Sequence, residues 1–282
     1  MHILQSFDQP LPNGEDRQHY DQYPAAVVSG PSTLAAEAPR AGITVSYSFW
    51  NRYATRILGS DQVAQGLAGK HLASWEDGRY FDVEGDVVSA AGIQLMNPVD
   101  LALCAQWPTE LRFFHEHTAL TVDGGSQVRA DRVWVLRDGS ETNNPDYIAV
   151  LDYKRVGTIR PSEFRSACMS WNGFVSGTHG YGSRFAENAS ILMKQAVSYA
   201  HKYNTKYIAL FDWDCLVLLV LANAEDNWGG NYCFVTTIVD KRRMRRALLG
   251  FVAMAFVSHN QGMPDNFDDL YDEVGASVPG TG

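Results

Sequence analysis

The chain has 282 residues, a formal net charge of −9 and 45% hydrophobic residues, a globular composition that allows one large domain or two small ones. The acidic balance is not that of a general nucleic-acid coat protein, and the four cysteines show no zinc-like spacing. No stretch approaches the roughly 18 uncharged apolar residues that span a bilayer, and the N-terminus lacks the pattern of a secretory signal. We therefore expect an intracellular protein, cytoplasmic or nuclear, without a membrane partner.

The N-terminal part is predicted to be largely disordered over residues 1–41, because it is rich in Pro, Gly, Gln, Asp and Ala without sustained periodicity. Helical pieces follow between residues 46 and 72. A longer helix is predicted from about residue 82 to 105, and Pro98 would kink or divide it.

Strand patterns dominate the middle of the chain. Strands are predicted at 113–122, 128–136, 147–154, 207–211, 215–222 and 232–239. A long glycine-rich loop at 156–182 precedes a strong helix at 184–203, and a basic-to-apolar helix follows at 241–258. The order of elements is typical of an α+β fold in which helices cover a mixed sheet.

These elements suggest a single domain. We place it at residues 42–262, with a core at about 82–222 and an added helical segment on its N-terminal side. The acidic end, 263–282, is predicted to be a disordered tail.

Two acidic residues and a lysine lie on neighbouring predicted strands. The loop between the strands at 128–136 and 147–154 centres between Glu141 and Thr142, so a hairpin about that point pairs Asp131 with Asp152. Opposed residues of an antiparallel pair share a face, and strand alternation brings Lys154 to the same face.

Both faces of this hairpin are apolar, which is typical of central strands covered on each side. The face of the two carboxylates also carries Val133, Val135, Ile148 and Val150 by alternation. Carboxylates at the end of a buried face cost roughly several kcal/mol each unless a cation compensates them. A divalent metal would do so. An ordinary ion pair at a sheet end is the alternative.

Basic charge is concentrated around and after these residues. Between Asp152 and Lys206 there are eight basic and three acidic residues, which gives 8 − 3 = +5. A local basic groove of this kind would attract phosphates without making the whole surface adhesive. The later run from Lys241 to Arg246 suits a nuclear import signal, a phosphate-binding helix start or a solvated helix face.

The order of these motifs resembles the PD-(D/E)XK nuclease superfamily. The matching residues are Asp131 on the second core strand, Asp152-Tyr-Lys154 on the third and Gln195-Ala-Val-Ser-Tyr199 on the next helix. The last segment is similar to the QxxxY signature of the RecB-like branch, and comparable layouts occur in fungal nuclease-like proteins. The resemblance implies a restriction-endonuclease-like core and covers roughly residues 82–222. Ala130 departs from the proline of the family name.

The resemblance also implies a chemistry. Asp131, Asp152 and an acidic residue of the first core helix would hold Mg²⁺, or Mn²⁺, for hydrolysis of phosphodiester bonds, in DNA in preference to RNA. Glu84 is our choice for the helix acid, with Asp86 and Glu110 as rivals and a plain helix-start carboxylate as the alternative. Lys154 would act on the attacking water, and Gln195 and Tyr199 would position Lys154 and the substrate phosphate.

Two other functions stay open. The first is a nuclease fold with weak or lost catalysis that serves as an interaction or effector module, and the second is the same fold reused for small-molecule chemistry. A separate metal site at His115 and His117, which alternate on one strand, lacks an evident third ligand.

Overall fold

The computed structural model describes residues 1–14, 25–26, 31–75, 79–119, 128–136, 145–176, 183–221 and 232–260. The helices are α1 (Ile3–Ser6), α2 (Pro31–Ala35), α3 (Tyr47–Leu58), α4 (Asp61–Leu67), α5 (Glu84–Ala91), α6 (Asn97–Gln106), α7 (Pro161–Ala167), α8 (Trp171–Val175), α9 (Glu187–Tyr203) and α10 (Met244–Asn260). The strands are β1 (Ala41–Thr44), β2 (Leu111–Ala119), β3 (Val128–Leu136), β4 (Tyr147–Tyr153), β5 (Cys168–Met169), β6 (Tyr207–Phe211), β7 (Leu216–Leu221) and β8 (Tyr232–Ile238).

The strands form one mixed sheet in the order β2-β3-β4-β6-β7-β8-β1-β5. β4 runs parallel to β6, and β1 runs parallel to both β8 and β5, while the other neighbours are antiparallel. The predicted α+β class, with a mixed sheet flanked by helices, is confirmed. The sequence did not predict β1 and β5, because four and two residues are too few for alternation to be visible.

Each face of the sheet carries an apolar core. Leu151 and Tyr153 of β4 belong to a core shared with α3, α6 and α10, and Val150 belongs to a core shared with α9. Alternation along the strand sends successive side chains to opposite faces. The central strands are therefore covered on both sides, as their apolar composition predicts.

The β3–β4 hairpin has the predicted register. Arg132 pairs with Leu151 and Val133 with Val150, so the positions sum to 283, as 131 and 152 do. A bulge between Trp134 and Val135 shifts the remaining pairs by one residue. Ile148 lies at this bulge, between the pairs Trp134 with Ala149 and Val135 with Tyr147, and belongs to the core with α10. Its predicted place on the carboxylate face was therefore wrong.

The helix around Pro98 continues through the proline. A π-helical turn at Gly92–Met96 joins α5 to α6, directly before it. Proline has no N–H for the carbonyl four residues earlier, that of Gln94, and the Nε of Arg245 donates to this carbonyl instead, at 2.6 Å. The whole helix, Glu84–Gln106, has the length and composition of a membrane-crossing helix, but most of its apolar stretch is buried inside this fold.

The first residues take part in the core. Ile3, Phe7 and Leu11 are at most 1% exposed, although we placed them in a largely disordered segment. The Nη1 of Arg245 donates to the carbonyls of Ser6 and Gln9 at 2.8 and 2.9 Å. The remainder of that segment includes residues 15–24 and 27–30, which lie outside the described residues, as does the acidic tail at 263–282.

Several residues of the basic run from Lys241 to Arg246, before and within α10, contact distant parts of the chain. Arg245 is 1% exposed, which excludes a fully solvated helix face. Lys241 pairs with Asp214 at 2.8 Å and Arg246 with Asp8 at 2.6 Å. The run is therefore built into the fold.

The predicted long loop at 156–182 contains regular structure. Helix α7, strand β5 and helix α8 lie within it, and residues 177–182 lie outside the described residues. The prediction of a loop was therefore wrong over residues 161–169 and 171–175.

Candidate functional site

The two aspartates meet where β3 begins and β4 ends. The backbone N–H of Tyr153, next to Asp152, donates to Oδ2 of Asp131 at 2.7 Å. The register of Arg132 with Leu151, extended by one residue, opposes Asp131 to Asp152, and alternation then places both carboxylates on the face covered by α9. The parallel neighbour β6 fixes the end of β4, because Lys154 donates its N–H to the carbonyl of Phe211 at 2.8 Å.

Asp152 is engaged by two side chains. Its carboxylate is buried, with 5% of the side chain exposed, and Nζ of Lys154 lies 2.5 Å from Oδ2. The hydroxyl of Tyr199 on α9 donates to Oδ1 at 3.0 Å. The predicted alternative, an Asp–Lys ion pair at the sheet end, is thus present, and a third partner from another layer of the fold joins it.

Helix α9 presents both residues of its predicted motif to this core. Tyr199 and Gln195 are 8% and 4% exposed, and a spacing of four residues places them on one helix face. Tyr199 packs in the core and also bonds to Asp152.

The three acids considered as the helix ligand of the metal, Asp86, Glu110 and Glu84, differ in their contacts. Asp86 accepts from the N–H groups of Asp82 and Val83 at 2.8 and 2.9 Å, so its carboxylate caps the start of α5. Glu110 adjoins Leu111, which pairs with the end of β3 remote from Asp131. Glu84, at the first position of α5, interacts electrostatically with Lys154 and Asp152, so it alone of the three acts on the site.

Burial and like charge raise the pKa values of Asp131 and Glu84. Burial, with the neighbouring charge of Asp152, raises the pKa of Asp131 to about 7, although the Tyr153 N–H opposes the shift. Burial also raises the pKa of Glu84, against the opposing effect of Lys154. For Lys154, burial lowers the pKa, but the charges of Asp152, Glu84 and Asp131 outweigh it and leave the pKa raised.

The donor set for a cation can be judged from these contacts. Three carboxyl groups, those of Glu84, Asp131 and Asp152, act on one buried ammonium group, so full ionisation leaves an excess of negative charge. That excess, with oxygen donors, suits a hard divalent ion. Within the described part of the chain, however, no three His, Cys, Asp or Glu side chains lie close enough together to hold a metal as they stand.

At the alternative metal site, His115 and His117, the described imidazole contacts an arginine. His115 contacts the Nη1 of Arg132, with its Nε2 2.6 Å away, and the side chain of His117 lies outside the described residues. A cationic guanidinium at hydrogen-bond distance opposes metal binding at the same imidazole.

The predicted basic groove is partly neutralised by its own neighbours. Nη1 of Arg160 pairs with Glu163 at 3.0 Å and with Glu187 at 2.9 Å, and Lys154 pairs with Asp152. Arg155 is exposed and makes no ion pair with any described residue. The three acids in these pairs are those already subtracted in the sequence sum, so the net charge of this segment stays at +5.

Three buried charged residues were not predicted from the sequence. Arg132, beside Asp131 but on the opposite face, forms an ion pair with Asp100 of α6, which also accepts from Trp134 Nε1 at 3.0 Å. Asp212, 0% exposed, accepts from the N–H of Ile159 at 2.8 Å and of Cys215 at 2.9 Å. For Arg132 and Asp100, the available signal was a charged residue at an inward-facing strand or helix position.

Comparison with known proteins gives no match for this chain. No protein-family model, no curated protein and no solved structure is similar to it at a significant level. Any assignment of function therefore depends on the geometry of the residues described above.

Proposed function

We propose that the chain is a metal-dependent nuclease that hydrolyses phosphodiester bonds, in DNA in preference to RNA. The observation that carries the proposal is the meeting of Asp131, Asp152 and Lys154 where β3 begins and β4 ends, with Tyr199 bonded to Asp152. The element order supports it, since a helix, three antiparallel strands, the α9 helix and a parallel strand resemble the restriction-endonuclease-like core.

The residues present fit a magnesium or manganese ion by charge and donor type. Asp131, Asp152, Glu84 and the carbonyl of Tyr153 would hold it, and binding requires Glu84 or the two strand carboxylates to move closer than they lie here. The bound ion would supply charge stabilisation at a phosphoryl oxygen and lower the pKa of a water molecule.

The chain's own residues have separate roles in this proposal. Lys154, held within 2.5 Å of Asp152, keeps its proton near neutral pH and stabilises negative charge that develops on a phosphate. Tyr199 and the Tyr153 N–H fix the two carboxylates against rotation. Gln195, one turn from Tyr199, would position Lys154 and the substrate phosphate.

Cleavage of labelled oligonucleotides by the full chain, with Mg²⁺ or Mn²⁺ and after chelation, tests the proposal. Asp152→Asn and Lys154→Ala should each lower metal-dependent cleavage by about 100-fold or more. Glu84→Gln should lower it as well, and Glu110→Gln serves as the matched control with unchanged cleavage. Equal cleavage by the wild type and the Asp152 and Lys154 variants, prepared in parallel, would sink the assignment.

A catalytically inactive nuclease-like interaction module is the second candidate. The engagement of both Asp152 oxygens by Lys154 and Tyr199, with no ready three-ligand cluster among the described residues, favours it. Calorimetric titration with Mn²⁺ separates the two functions. Binding that Asp131→Asn weakens supports the nuclease, whereas the absence of metal binding supports the module.

A further inference from the structure

Strand β2 forms one edge of the sheet, and among the described elements it pairs with β3 alone. Its nine residues keep one constant register with β3, and they include neither proline nor lysine. The opposite edge strand, β5, has only two residues. Shortness, proline, lysine and bulges are features by which proteins keep a sheet edge from pairing with another chain. The β5 edge has one of these features, and β2 has none of the four.

The charges of β2 are complementary to those of a second β2 strand. Arg112 and Glu116 lie two residues before and two residues after Phe114. If two copies of β2 pair antiparallel about Phe114, Arg112 of each copy opposes Glu116 of the other, and Phe114 opposes itself. Opposite charges directly across an antiparallel pair stabilise it, and two-fold symmetry supplies this contact twice. Arg112 is exposed, and Phe114 is 40% exposed.

The position of Glu116 in the sheet also favours a cation beside it. Every β2–β3 pair sums to 247, as positions 116 and 131 do, so Glu116 is opposite Asp131 in register. Since Asp131 is in turn opposed to Asp152, three acidic positions form one row across β2, β3 and β4. Like charges directly opposite each other destabilise a sheet. A guanidinium placed next in this row, beyond Glu116, would offset that effect.

We propose that two copies of this chain associate through β2, paired antiparallel about Phe114, so that their sheets join across the interface. Main-chain hydrogen bonds would supply affinity, and the two contacts between Arg112 and Glu116 would fix the register. An unrelated extended segment carries the reverse charge pattern only by chance, whereas a second copy carries it necessarily. The inference does not depend on the proposed function, because it concerns association and not cleavage.

Sedimentation equilibrium of the full chain, at protein concentrations from about 1 to 300 μM, measures the association. The wild type should approach the mass of a dimer. Arg112→Glu and Glu116→Arg should each weaken dimerisation by about 10-fold or more, because each turns two opposite-charge contacts into like-charge contacts. The variant with both substitutions restores opposite charges and should regain the wild-type Kd. Arg242→Glu makes the same charge change at an exposed position outside the sheet and should leave Kd unchanged.

The register has its own readout. Opposed residues of an antiparallel pair have Cα atoms about 4.5–5.5 Å apart, which is within the range of a disulfide. Phe114→Cys, treated with diamide as the oxidant, should therefore give a covalent dimer on a non-reducing gel. Arg242→Cys should stay monomeric on the same gel, and so should the wild type, whose four cysteines are free thiols.

The outcomes decide the inference whether or not the chain cleaves nucleic acid. A monomer at every concentration overturns it, and so does a dimer whose Kd is unchanged in both charge-reversed variants, since such a dimer uses another surface. Failure of the double variant to recover, in a chain that circular dichroism shows to be folded, overturns the register about Phe114. Recovery in the double variant together with the Phe114→Cys cross-link supports the inference.

Discussion

The hydroxyl of Tyr199 donates a 3.0 Å hydrogen bond to Oδ1 of Asp152, which joins helix α9 to the end of strand β4. The ring of Tyr199 packs in the apolar core, so this residue makes an apolar contact through its ring and a polar contact through its hydroxyl. A variant that removes only the hydroxyl separates the two.

Tyr199→Phe should keep the fold and lower kcat/KM for metal-dependent cleavage by about 10-fold, because Asp152 loses a fixed orientation. Loss of a hydrogen bond to a charged group should also lower the free energy of unfolding by about 1.5–3 kcal/mol. Steady-state cleavage and urea denaturation measure the two effects. Tyr199→Leu, which removes part of the packing too, should be less stable than the phenylalanine variant.

Asp131 should make the protein less stable as pH rises. Its pKa in the folded protein is about 7, against about 3.9 for an unfolded aspartate, so the folded state holds the extra proton between these values. Its contribution to stability is complete below pH 4 and is lost as pH rises through 7. Asp131→Asn should therefore narrow the difference in urea midpoint between pH 5 and pH 8, while abolishing cleavage.

Burial raises the pKa values of Asp100 and Asp212 to about 6 and 7, so these two residues also make the protein less stable as pH rises. Both residues are still present in the Asp131→Asn variant. The comparison is therefore between wild type and variant, across the same pH range. An unchanged pH dependence in Asp131→Asn would show that Asp131 is ionised in the folded protein as it is in the unfolded chain.

The local parts of this structure could be predicted from sequence. The hairpin register followed from the centre of one turn-rich loop, and the observed pairs of Arg132 with Leu151 and of Val133 with Val150 agree with it. The spacing of Gln195 and Tyr199 within one helix was equally local. Such relationships depend on strand alternation and helix periodicity, which a sequence displays directly.

The long-range parts could not be predicted. Arg245 bonds to Ser6 across 239 residues, and no periodicity links the two. The β3–β4 bulge depends on how the sheet packs, so the displacement of Ile148 had no sequence signal. Arg132 lay on a strand whose other inward residues are apolar, and its partner Asp100 is on a separate helix.

The contributions of Arg132 and Asp100 to the free energy of unfolding should depend on each other. Arg132→Met leaves the Asp100 carboxylate buried without its cation, which should cost about 3–5 kcal/mol of unfolding free energy. The double variant Arg132→Met with Asp100→Leu removes both charges and should regain most of that loss. Urea denaturation of the two single variants and the double variant measures the coupling. Simple addition of the two single losses would contradict the dependence.

Arg245 should secure the first residues of the chain to the core. Arg245 is 1% exposed, and its guanidinium donates to the carbonyls of Gln94, Ser6 and Gln9. Arg245→Met keeps the apolar stem but leaves these acceptors without their donor, so we expect a loss of about 3 kcal/mol or more from several buried hydrogen bonds. Arg242→Ala, an exposed neighbour, should change stability by less than about 0.5 kcal/mol. Urea denaturation gives both values, and limited proteolysis should cut the N-terminal segment faster in the methionine variant alone. Equal stability of the two variants would show that the N-terminal segment is held by Ile3, Phe7 and Leu11 without the guanidinium.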